Sequence, residues 1–401
     1  MRIILFDTNV RFHLLPFTHT RPIADIRCGI YTMRERWEHI LEKTTGILTE
    51  NYLQTVFPSD AGDDNLFINA TLFASKELAD AIYLLEKEQK LIKDNTLIAF
   101  RTNDHIPTFE NLDKFTRLLS EHHYDGSYTA INNIWDIFSL NDFAIKTDFA
   151  LATQNKKSQP IPKGIIVTGS ENLFIAEGAK VNAGCIINAS KGPVYIAEDA
   201  EIMEGTMIRG PLAVCEGAVV KMGAKLYGAS TIGPGCKVGG EINNSVFFAN
   251  SNKTHDGYLG NAVIGEWCNL GADTNCSNLK NNYDEVQIWD EHNNRATKTG
   301  LVFCGLFMGD HSKCSINTMF NTGTVVGVSC NIFGHGFPDK FVASFCWGGS
   351  NSMVTYDFDK AMETVRRVMA RRNLELTDAS LNMYRHIFEY TSPQRNLFTQ
   401  A

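Results

Sequence analysis

The stretch that decides the fold reads Ile196-Ala-Glu-Asp-Ala-Glu, Ile202-Met-Glu-Gly-Thr-Met, Ile208-Arg-Gly-Pro-Leu-Ala, Val214-Cys-Glu-Gly-Ala-Val. Each unit of six residues opens with an aliphatic side chain, and the phase continues through Val220, Leu226, Ile232 and Val238. A period of six is neither that of an α-helix nor the simple alternation of a strand. It fits a triangular coil with three short strands per turn, in which each opening residue points inward and Gly or Asn turns the corners.

The same period extends on both sides of this stretch. Its further members are Ile175, Val181 and Ile187 before it, then Ile264 and Leu270, and finally Met308, Cys314, Phe320, Val326 and Ile332. We therefore predict a parallel β-helix over residues 164–348, in which each coil buries its neighbour. Two polar segments, 243–261 and 276–300, break the period. Loops that leave a rigid solenoid are the places where binding residues usually sit.

The rest of the chain lacks the six-residue period. Residues 1–155 alternate buried-strand runs with helical stretches, predicted at 31–48, 76–90 and 112–122, which favours an α/β domain. Residues 156–163 contain two prolines and several polar residues, as expected of a linker. Residues 349–401 are predicted to be an α-helical tail, with helices at 359–372 and 377–390.

The composition argues against several classes of function. The net charge is −8 and no long basic run occurs, so we expect neither nucleic-acid binding nor attraction to anionic membranes. No apolar stretch is long enough for membrane insertion. The start, Met1 to Asp7, indicates a buried strand rather than a signal peptide. The ten cysteines are scattered singly, which favours reduced thiols and a cytoplasmic protein.

One segment carries a family resemblance. Residues 255–278 read His-Asp-Gly-Tyr-Leu-Gly-Asn-Ala-Val-Ile-Gly-Glu-Trp-Cys-Asn-Leu-Gly-Ala-Asp-Thr-Asn-Cys-Ser-Asn. Without a gap, this resembles the acetyltransferase site of the bifunctional glucosamine-1-phosphate N-acetyltransferase / N-acetylglucosamine-1-phosphate uridylyltransferase family, in its archaeal-like, Bacteroidetes-type branch. The resemblance implies a left-handed β-helix of the hexapeptide-repeat acyltransferase kind. It places the catalytic base on His255, sugar-phosphate contacts on Tyr258, Asn269 and Asn278, and the acetyl-CoA site at Ala272.

The family's cationic contacts to the sugar phosphate have no ungapped match upstream of His255. We assign that role to Lys253, Lys280 and Lys298. The position of a family glycine is taken by Asp273, and the loop after Asn278 is longer than in the family.

The front domain, residues 1–155, resembles the family's nucleotidyltransferase domain more loosely. Leu14-Leu-Pro-Phe-Thr-His-Thr-Arg-Pro-Ile-Ala-Asp25 follows the first strand, where nucleotidyltransferases carry Gly-x-Gly-x-Arg and Pro-Lys, but the glycines and the lysine are missing. If nucleotidyl transfer occurs, the resemblance implies nucleotide contacts from Arg11, Arg21 and Asn69. Asn133 and Asp136 would then hold Mg²⁺ for UTP or dTTP. A reduced domain that serves only structure or regulation is the other interpretation.

The resemblance implies N-acetylation of a hexosamine 1-phosphate, such as glucosamine 1-phosphate, by acetyl-CoA. A coupled nucleotidyl transfer would give a UDP-sugar such as UDP-N-acetylglucosamine, a precursor of the cell envelope. A homotrimer is the family's expected assembly. Three alternatives stay open. They are a nucleotidyltransferase of the glucose-1-phosphate thymidylyltransferase kind, an acyltransferase with another amino sugar or a longer acyl chain, and a non-catalytic trimeric scaffold or sensor.

Overall fold

A computed structural model of the chain describes residues 1–103 and 107–396, so the last five residues of the predicted tail lie outside the described residues. The front domain holds a six-stranded sheet in the order β2-β1-β3-β5-β4-β6. β1 pairs parallel with β2 and β3, and β4 pairs parallel with β6, whereas β5 is antiparallel to both of its neighbours. The strands are β1 (Arg2–Phe6), β2 (Gly46–Leu48), β3 (Asn65–Asn69), β4 (Gln89–Lys93), β5 (Thr96–Thr102) and β6 (Ser120–His123).

The helices of the front domain are α1 (Met33–Leu41), α2 (Asn51–Gln54), α3 (Lys76–Tyr83), α4 (Leu112–Thr116), α5 (Asp136–Ser139) and α6 (Asn141–Thr153). Of these, α1, α3 and α4 correspond to the predicted helices and are shorter than predicted, whereas α2, α5 and α6 were not predicted. α1 begins at a capping box between Thr32 and Glu35 and ends at Glu42, whose φ is 52°. The residues predicted to continue it form β2, because pairing with the buried strand β1 outweighs local helix propensity.

Residues 166–355 form the predicted left-handed β-helix, with three faces made of parallel strands. Face 1 contains β7 (Ile166–Thr168), β10 (Ile186–Asn188), β13 (Met207–Arg209), β16 (Lys225–Tyr227), β19 (Glu241–Asn243) and β22 (Tyr258–Gly260), and the pair β25 (Asn275–Cys276) and β30 (Met319–Phe320) follows them. Face 2 contains β8 (Leu173–Ile175), β11 (Val194–Ile196), β14 (Leu212–Val214), β17 (Ser230–Ile232), β20 (Val246–Phe247), β23 (Val263–Ile264), β28 (Phe307–Met308), β31 (Val325–Val326) and β33 (Phe341–Val342). Face 3 contains β9 (Lys180–Val181), β12 (Glu201–Ile202), β15 (Val219–Val220), β18 (Lys237–Val238), β21 (Asn252–Lys253), β24 (Asn269–Leu270), β29 (Lys313–Cys314), β32 (Asn331–Ile332), β34 (Cys346–Gly349) and the antiparallel β35 (Ser352–Thr355).

The interior of the β-helix is the predicted ladder of six-residue steps. All the apolar residues that define the period are buried in one continuous cluster, from Ile175 to Ile332. Corner glycines such as Gly205 and Gly217 take φ values of 70° and 60°, which a side chain would disfavour. The polar segment 276–300 leaves the coil and forms an antiparallel hairpin of β26 (Gln287–Asp290) and β27 (Arg295–Lys298).

The front domain packs along the outer side of face 2. Val246, Val263 and Phe307 of face 2 belong to the same buried cluster as the front-domain core. The ring of Phe17 lies 5.1 Å from that of Phe248, and the ring of Phe138 lies 6.1 Å from that of Phe307. The two domains therefore pack against each other through buried apolar side chains.

The tail is helical, as predicted, but β34 and β35 close the β-helix before it begins. Its helices are α7 (Phe358–Ala370), α8 (Asp378–Tyr390) and α9 (Ser392–Asn396). α8 is capped by the side chain of Thr377, which accepts from the backbone of Ser380. α7 and α8 pack on Val328 and Phe345 of the β-helix and on Leu53 of the front domain.

Two composition-based expectations can be compared with the structure. All ten cysteines are free and buried, in agreement with the predicted reduced thiols. Among residues 1–103 and 107–396, no helix combines the length and the apolar character needed to cross a bilayer.

Candidate active site

Two of the predicted sugar-binding residues contact each other on the outer side of face 1. The Nδ2 group of Asn278 donates to the hydroxyl of Tyr258 at 2.9 Å and to Oδ1 of Asn261 at 2.8 Å. Tyr258 is half-buried and Asn278 is buried. Burial raises the pKa of Tyr258, although hydrogen bonds from Asn243 and Asn278 oppose the shift, so its hydroxyl is neutral at physiological pH. This network presents neutral hydrogen-bonding groups on one surface.

His255 lies at the corner between faces 3 and 1, immediately before Tyr258. Its side chain is exposed, and the loop that carries it is tightly held. Gly257 has a φ of 114°, and a Cβ there would clash with the carbonyl of Thr274 in the next coil. The backbone N–H of Asp273 also donates to the carbonyl of Asp256 at 3.1 Å. The exposed imidazole of His255 is thus carried by a backbone that close packing and hydrogen bonds hold in place.

Lys253 occupies an interior position of face 3 and is only 1% exposed. Its register partner one coil below is Val238, a member of the aliphatic ladder. The ammonium donates to the carbonyls of His255 at 2.9 Å, Asp256 at 3.3 Å and Gly239 at 3.4 Å. Burial lowers the pKa of Lys253 to about 8, and the Asp256 carboxylate opposes the shift. The sequence assigned Lys253 to the sugar phosphate. Because its side chain points inward, Lys253 holds the His255 loop in place instead.

Asn269 and Ala272 are separated from the Tyr258 network by this corner. Asn269 is exposed on face 3, between Asn252 and Lys313 in the ladder. Ala272 lies in the turn directly above the His255 loop, where its carbonyl accepts from the N–H of Asn317 at 2.8 Å. The four polar residues predicted for the site are His255, Tyr258, Asn269 and Asn278. Within one chain, Tyr258 and Asn278 lie on the face 1 side of the corner at His255, and Asn269 lies on face 3.

The other two lysines predicted to hold phosphate belong to the segment that leaves the coil. Lys280 donates to the carbonyl of Glu285 at 2.6 Å, and Lys298 lies 3.8 Å from the carboxylate of the same residue. Both cations already have a partner within their own segment. Neither contacts Tyr258 or Asn278.

The structure adds neighbours that the sequence analysis missed. Glu241 and Asn243 lie directly below Tyr258 and Gly260 on face 1, and the hydroxyl of Tyr227 donates to Glu241 at 2.6 Å. The exposed Lys225 is one coil further down the same ladder. Neighbours on one face are one coil apart in the sequence, which is 15 to 18 residues. The sequence alone does not reveal these pairs, because the strand register must be known first.

The front domain has a cavity of about 510 Å³ at the carboxyl ends of β1 and β3. This is where ligands usually bind in open α/β sheets. Asn69 lines it, with Oδ1 accepting from Thr71 and Nδ2 donating to the carbonyl of Leu97 at 2.9 Å. Glu110 and Asp113 line it as well, whereas no described lining residue is a lysine or arginine. The described walls supply no cation for a triphosphate.

Both arginines predicted to contact nucleotide are buried in structural ion pairs, which corrects that prediction. Arg11 contacts Asp7 at 3.2 Å and Glu50 at 2.6 Å. Arg21 pairs with Asp310 and, at 3.2 Å, with Glu266, two residues of the β-helix. Burial alone would lower the pKa of Arg21, but these carboxylates outweigh it and raise the pKa. The nucleotidyltransferase-like segment has become part of the domain interface.

The residues predicted to bind Mg²⁺ do not fit a metal site. Oδ2 of Asp136 accepts the backbone N–H groups of Asn132 and Asn133, each at 2.8 Å, and thereby holds the turn that precedes α5. Asp7 is buried and accepts from Ile23, Thr49 and Arg11. In the part of the chain that the structure describes, no three His, Cys, Asp or Glu side chains cluster in a way that could hold a metal.

Residues 3–157 match the sugar nucleotidyl transferase family model. The bifunctional sugar-1-phosphate nucleotidylyltransferase/acetyltransferase of Sulfurisphaera tokodaii is 27% identical over 221 residues, which are 52% of this chain and 46% of that protein. The bifunctional protein GlmU of Methanococcus aeolicus is 24% identical over 335 residues, 84% of this chain and 58% of that protein.

The chain spans about half the length of the curated relatives it matches. Among solved structures, the polySia-specific acetyltransferase NeuO is 14% identical and covers 48% of this chain and 85% of its own, with a TM-score of 0.26. The chain is thus similar to GlmU-type bifunctional enzymes in sequence, and its β-helix is built as the hexapeptide repeats predict.

Proposed function

We propose that this protein transfers an acetyl group from acetyl-CoA to the amino group of a hexosamine 1-phosphate, with glucosamine 1-phosphate as the first candidate. The observation that carries the proposal is the network of Tyr258, Asn278 and Asn261 beside the fixed corner that bears His255. The sequence similarity to bifunctional acetyltransferases supports it.

The chemistry assigned to the corner is general-base catalysis. In this proposal His255 removes a proton from the sugar amine. The amine nitrogen then attacks the thioester carbon, a C–N bond forms and the C–S bond breaks. CoA leaves as its thiol after taking back a proton. Tyr258 and Asn278 offer neutral hydrogen bonds to sugar hydroxyls.

A homotrimer belongs to this proposal, with the site completed where neighbouring β-helices meet. Face 1 starts with Ile166, Ile186 and Met207 in register, and these outward side chains are 62%, 42% and 43% exposed. An exposed apolar stripe on a rigid sheet is typical of an interaction surface. A second copy of the chain packed there would enclose the face that leads to Tyr258. Light scattering gives the oligomeric state directly.

The decisive experiment follows release of CoA thiol from acetyl-CoA with glucosamine 1-phosphate. Because the ten protein thiols are buried, they leave the thiol reagent free to report on CoA. His255→Ala is expected to lower kcat by about 10²- to 10⁴-fold, as for loss of a general base. His123→Ala, at an exposed histidine of β6, is the matched control. No thiol release by the unaltered protein would reject acetyl transfer and favour a scaffold or sensor.

A second candidate function is nucleotidyl transfer to a sugar 1-phosphate, including the thymidylyltransferase kind. The family-model match over residues 3–157 and the 510 Å³ cavity favour it. The buried arginines and the hydrogen bonds of Asp136 to the turn before α5 count against it. Addition of UTP or dTTP with Mg²⁺ and a sugar 1-phosphate tests it, because pyrophosphate release must accompany the reaction.

A further inference from the structure

A second cleft lies between the front domain and the hairpin β26–β27, and its lining residues differ from those of the cavity at β1 and β3. Its volume is about 210 Å³. The front domain contributes Phe12, Asn133 and Trp135, and the hairpin contributes Glu291, Arg295 and Thr297. His292 stacks on Phe12 with ring centroids 4.4 Å apart, which holds the hairpin tip against the front domain.

Two oxygen atoms of this cleft are buried without a hydrogen-bond partner among the described residues. Glu291 is 5% exposed, and its Oε1 lies 2.8 Å from Nε2 of His19, but its Oε2 has no partner. The hydroxyl of Thr297 is also buried and has none. A buried polar atom that forms no hydrogen bond costs free energy, so each such atom in a folded protein needs an explanation.

The strand register places Thr297 beside a charged neighbour on the hairpin. Thr297 pairs with Ile288 and Arg295 pairs with Asp290, so these side chains share one side of the hairpin. Asp290 already holds the N–H of Asn293 at 3.0 Å and its amide at 2.8 Å. Asn133 lies across the cleft, and its backbone N–H donates to Asp136.

We propose that this cleft binds one unphosphorylated sugar ring, a hexose or hexosamine, as a site separate from the proposed active site. Aromatic rings beside a carboxylate, a hydroxyl, an amide and a guanidinium suit a ligand with an apolar face and several hydroxyl groups. The volume is below the roughly 300–1,000 Å³ typical of sites for drug-sized ligands, so CoA and nucleotide sugars are too large. Two carboxylates face one arginine, which disfavours a phosphate ester.

The ligand would join two parts of the chain. Its hydroxyls would satisfy Glu291 and Thr297 on the hairpin while its ring contacted Phe12 and Trp135 of the front domain. Binding would then tighten the contact between the front domain and the segment that follows Asn278. The cleft is therefore suited to sense a free sugar.

The experiment is titration of the full-length protein with glucosamine, N-acetylglucosamine and glucose, read by calorimetry and by ligand-observed NMR. Saturable binding of at least one sugar is expected. Thr297→Val removes a hydroxyl that bonds nothing in the protein, so the variant should fold normally. It should bind the sugar about fivefold to tenfold more weakly, as loss of one hydrogen bond predicts.

Thr355→Val, on the exposed strand β35, is the matched control and should bind like the unaltered protein. Asn133→Leu tests the opposite wall and should also weaken binding. Absence of saturable binding would overturn the proposal. If Thr297→Val and Asn133→Leu each bound the sugar as tightly as the unaltered protein does, the proposal would be overturned too. Glucosamine 1-phosphate is left out of the titration because the proposed active site would bind it. Neither result depends on whether acetyl transfer occurs.

Discussion

At the scale of single residues, Lys253 shows how one charge inside a solenoid can serve a surface loop. The ladder of face 3 runs through Val220 and Val238 to Lys253, then Leu270. A lysine among these residues costs desolvation, which is visible in its lowered pKa. Its hydrogen bonds to three carbonyls offset that cost and hold the corner that carries His255.

Lys253→Met keeps the shape of the side chain and removes the three donors. The buried charge disappears, so overall stability should change little, by about 1–2 kcal/mol in either direction. The His255 loop loses its inner anchor. We expect kcat for acetyl transfer to fall about tenfold or more, with a nearly unchanged KM for acetyl-CoA. Steady-state kinetics beside a urea titration separates the two effects. Leu270→Met, one coil above in the same ladder, is the control, and an equal loss of kcat there would remove the special role of Lys253.

The lowered pKa of Lys253 also predicts a pH dependence of stability. The ordinary value of 10.5 applies to the unfolded chain and about 8 to the folded one, so between these values the unfolded state binds more protons. Stability must therefore rise as pH increases from about 8 to 10.5. The free energy of unfolding of the unaltered protein, minus that of Lys253→Met, should increase over this window by on the order of 3 kcal/mol. A flat difference would show that the ammonium is not buried in solution.

At the scale of elements, the segment from Leu14 to Asp25 has a different role from the one its sequence indicates. The hydroxyl of Thr20 donates to Asp310 at 2.8 Å, beside the pair of Arg21 and Asp310. The guanidinium of Arg21 also lies 4.9 Å from the ring of Phe248. Residues that resemble a nucleotide-binding loop thus attach the front domain to the β-helix.

Arg21→Met should be strongly destabilising because it leaves Asp310 and Glu266 without their cation in a buried interface. Breaking a buried pair in this way typically costs about 3–5 kcal/mol. Arg34→Met is the matched control, since its pair with Asp25 is a quarter exposed on both sides and should be worth at most about 1 kcal/mol. Chemical denaturation of both variants measures the contrast. Similar losses would mean that the Arg21 pair is open to water.

The sequence predicted the elements of the β-helix far better than the roles of its polar residues. The period of six is a local rule that each coil repeats, so the buried positions from Ile175 to Ile332 follow from it. The rule did not predict the buried position of Lys253, because this residue comes 15 residues after Val238 rather than 18, within a segment where the period breaks. Arg21 could not be placed because its partners, Glu266 and Asp310, lie about 250 to 290 residues away in sequence. The sequence predicted that Tyr258 and Asn278 belong to the same site, but it did not predict that they contact each other.

At the scale of the whole molecule, three parts of the chain meet around His311. This residue lies at a corner of the β-helix, beside Asp310 and the ion pair with Arg21 of the front domain. Its ring stacks on Trp267 with centroids 5.8 Å apart and meets Tyr384 of α8 edge-on at 5.6 Å. Lys313 and Glu266 complete the charged groups that surround it. Loss of packing at this point would loosen the front domain and the tail together.

His311 should make this junction sensitive to acid. Neither ring nitrogen has a hydrogen-bond partner among the described residues, and burial, with help from Lys313 and Arg21, lowers the pKa of His311 well below its usual 6.5. The unfolded chain therefore binds a proton that the folded chain does not bind, and stability falls as pH drops below about 6.5.

His311→Phe retains the aromatic stack and cannot be protonated. Because a φ of 58° strains phenylalanine more than histidine, the comparison must be made on the slope rather than on absolute stability. We expect the unfolding free energy of this variant to decline less steeply with acid than that of the unaltered protein, in denaturant titrations from neutral to mildly acidic pH. Parallel curves would mean that the imidazole is protonated equally in both states and that the acid response comes from carboxylates elsewhere.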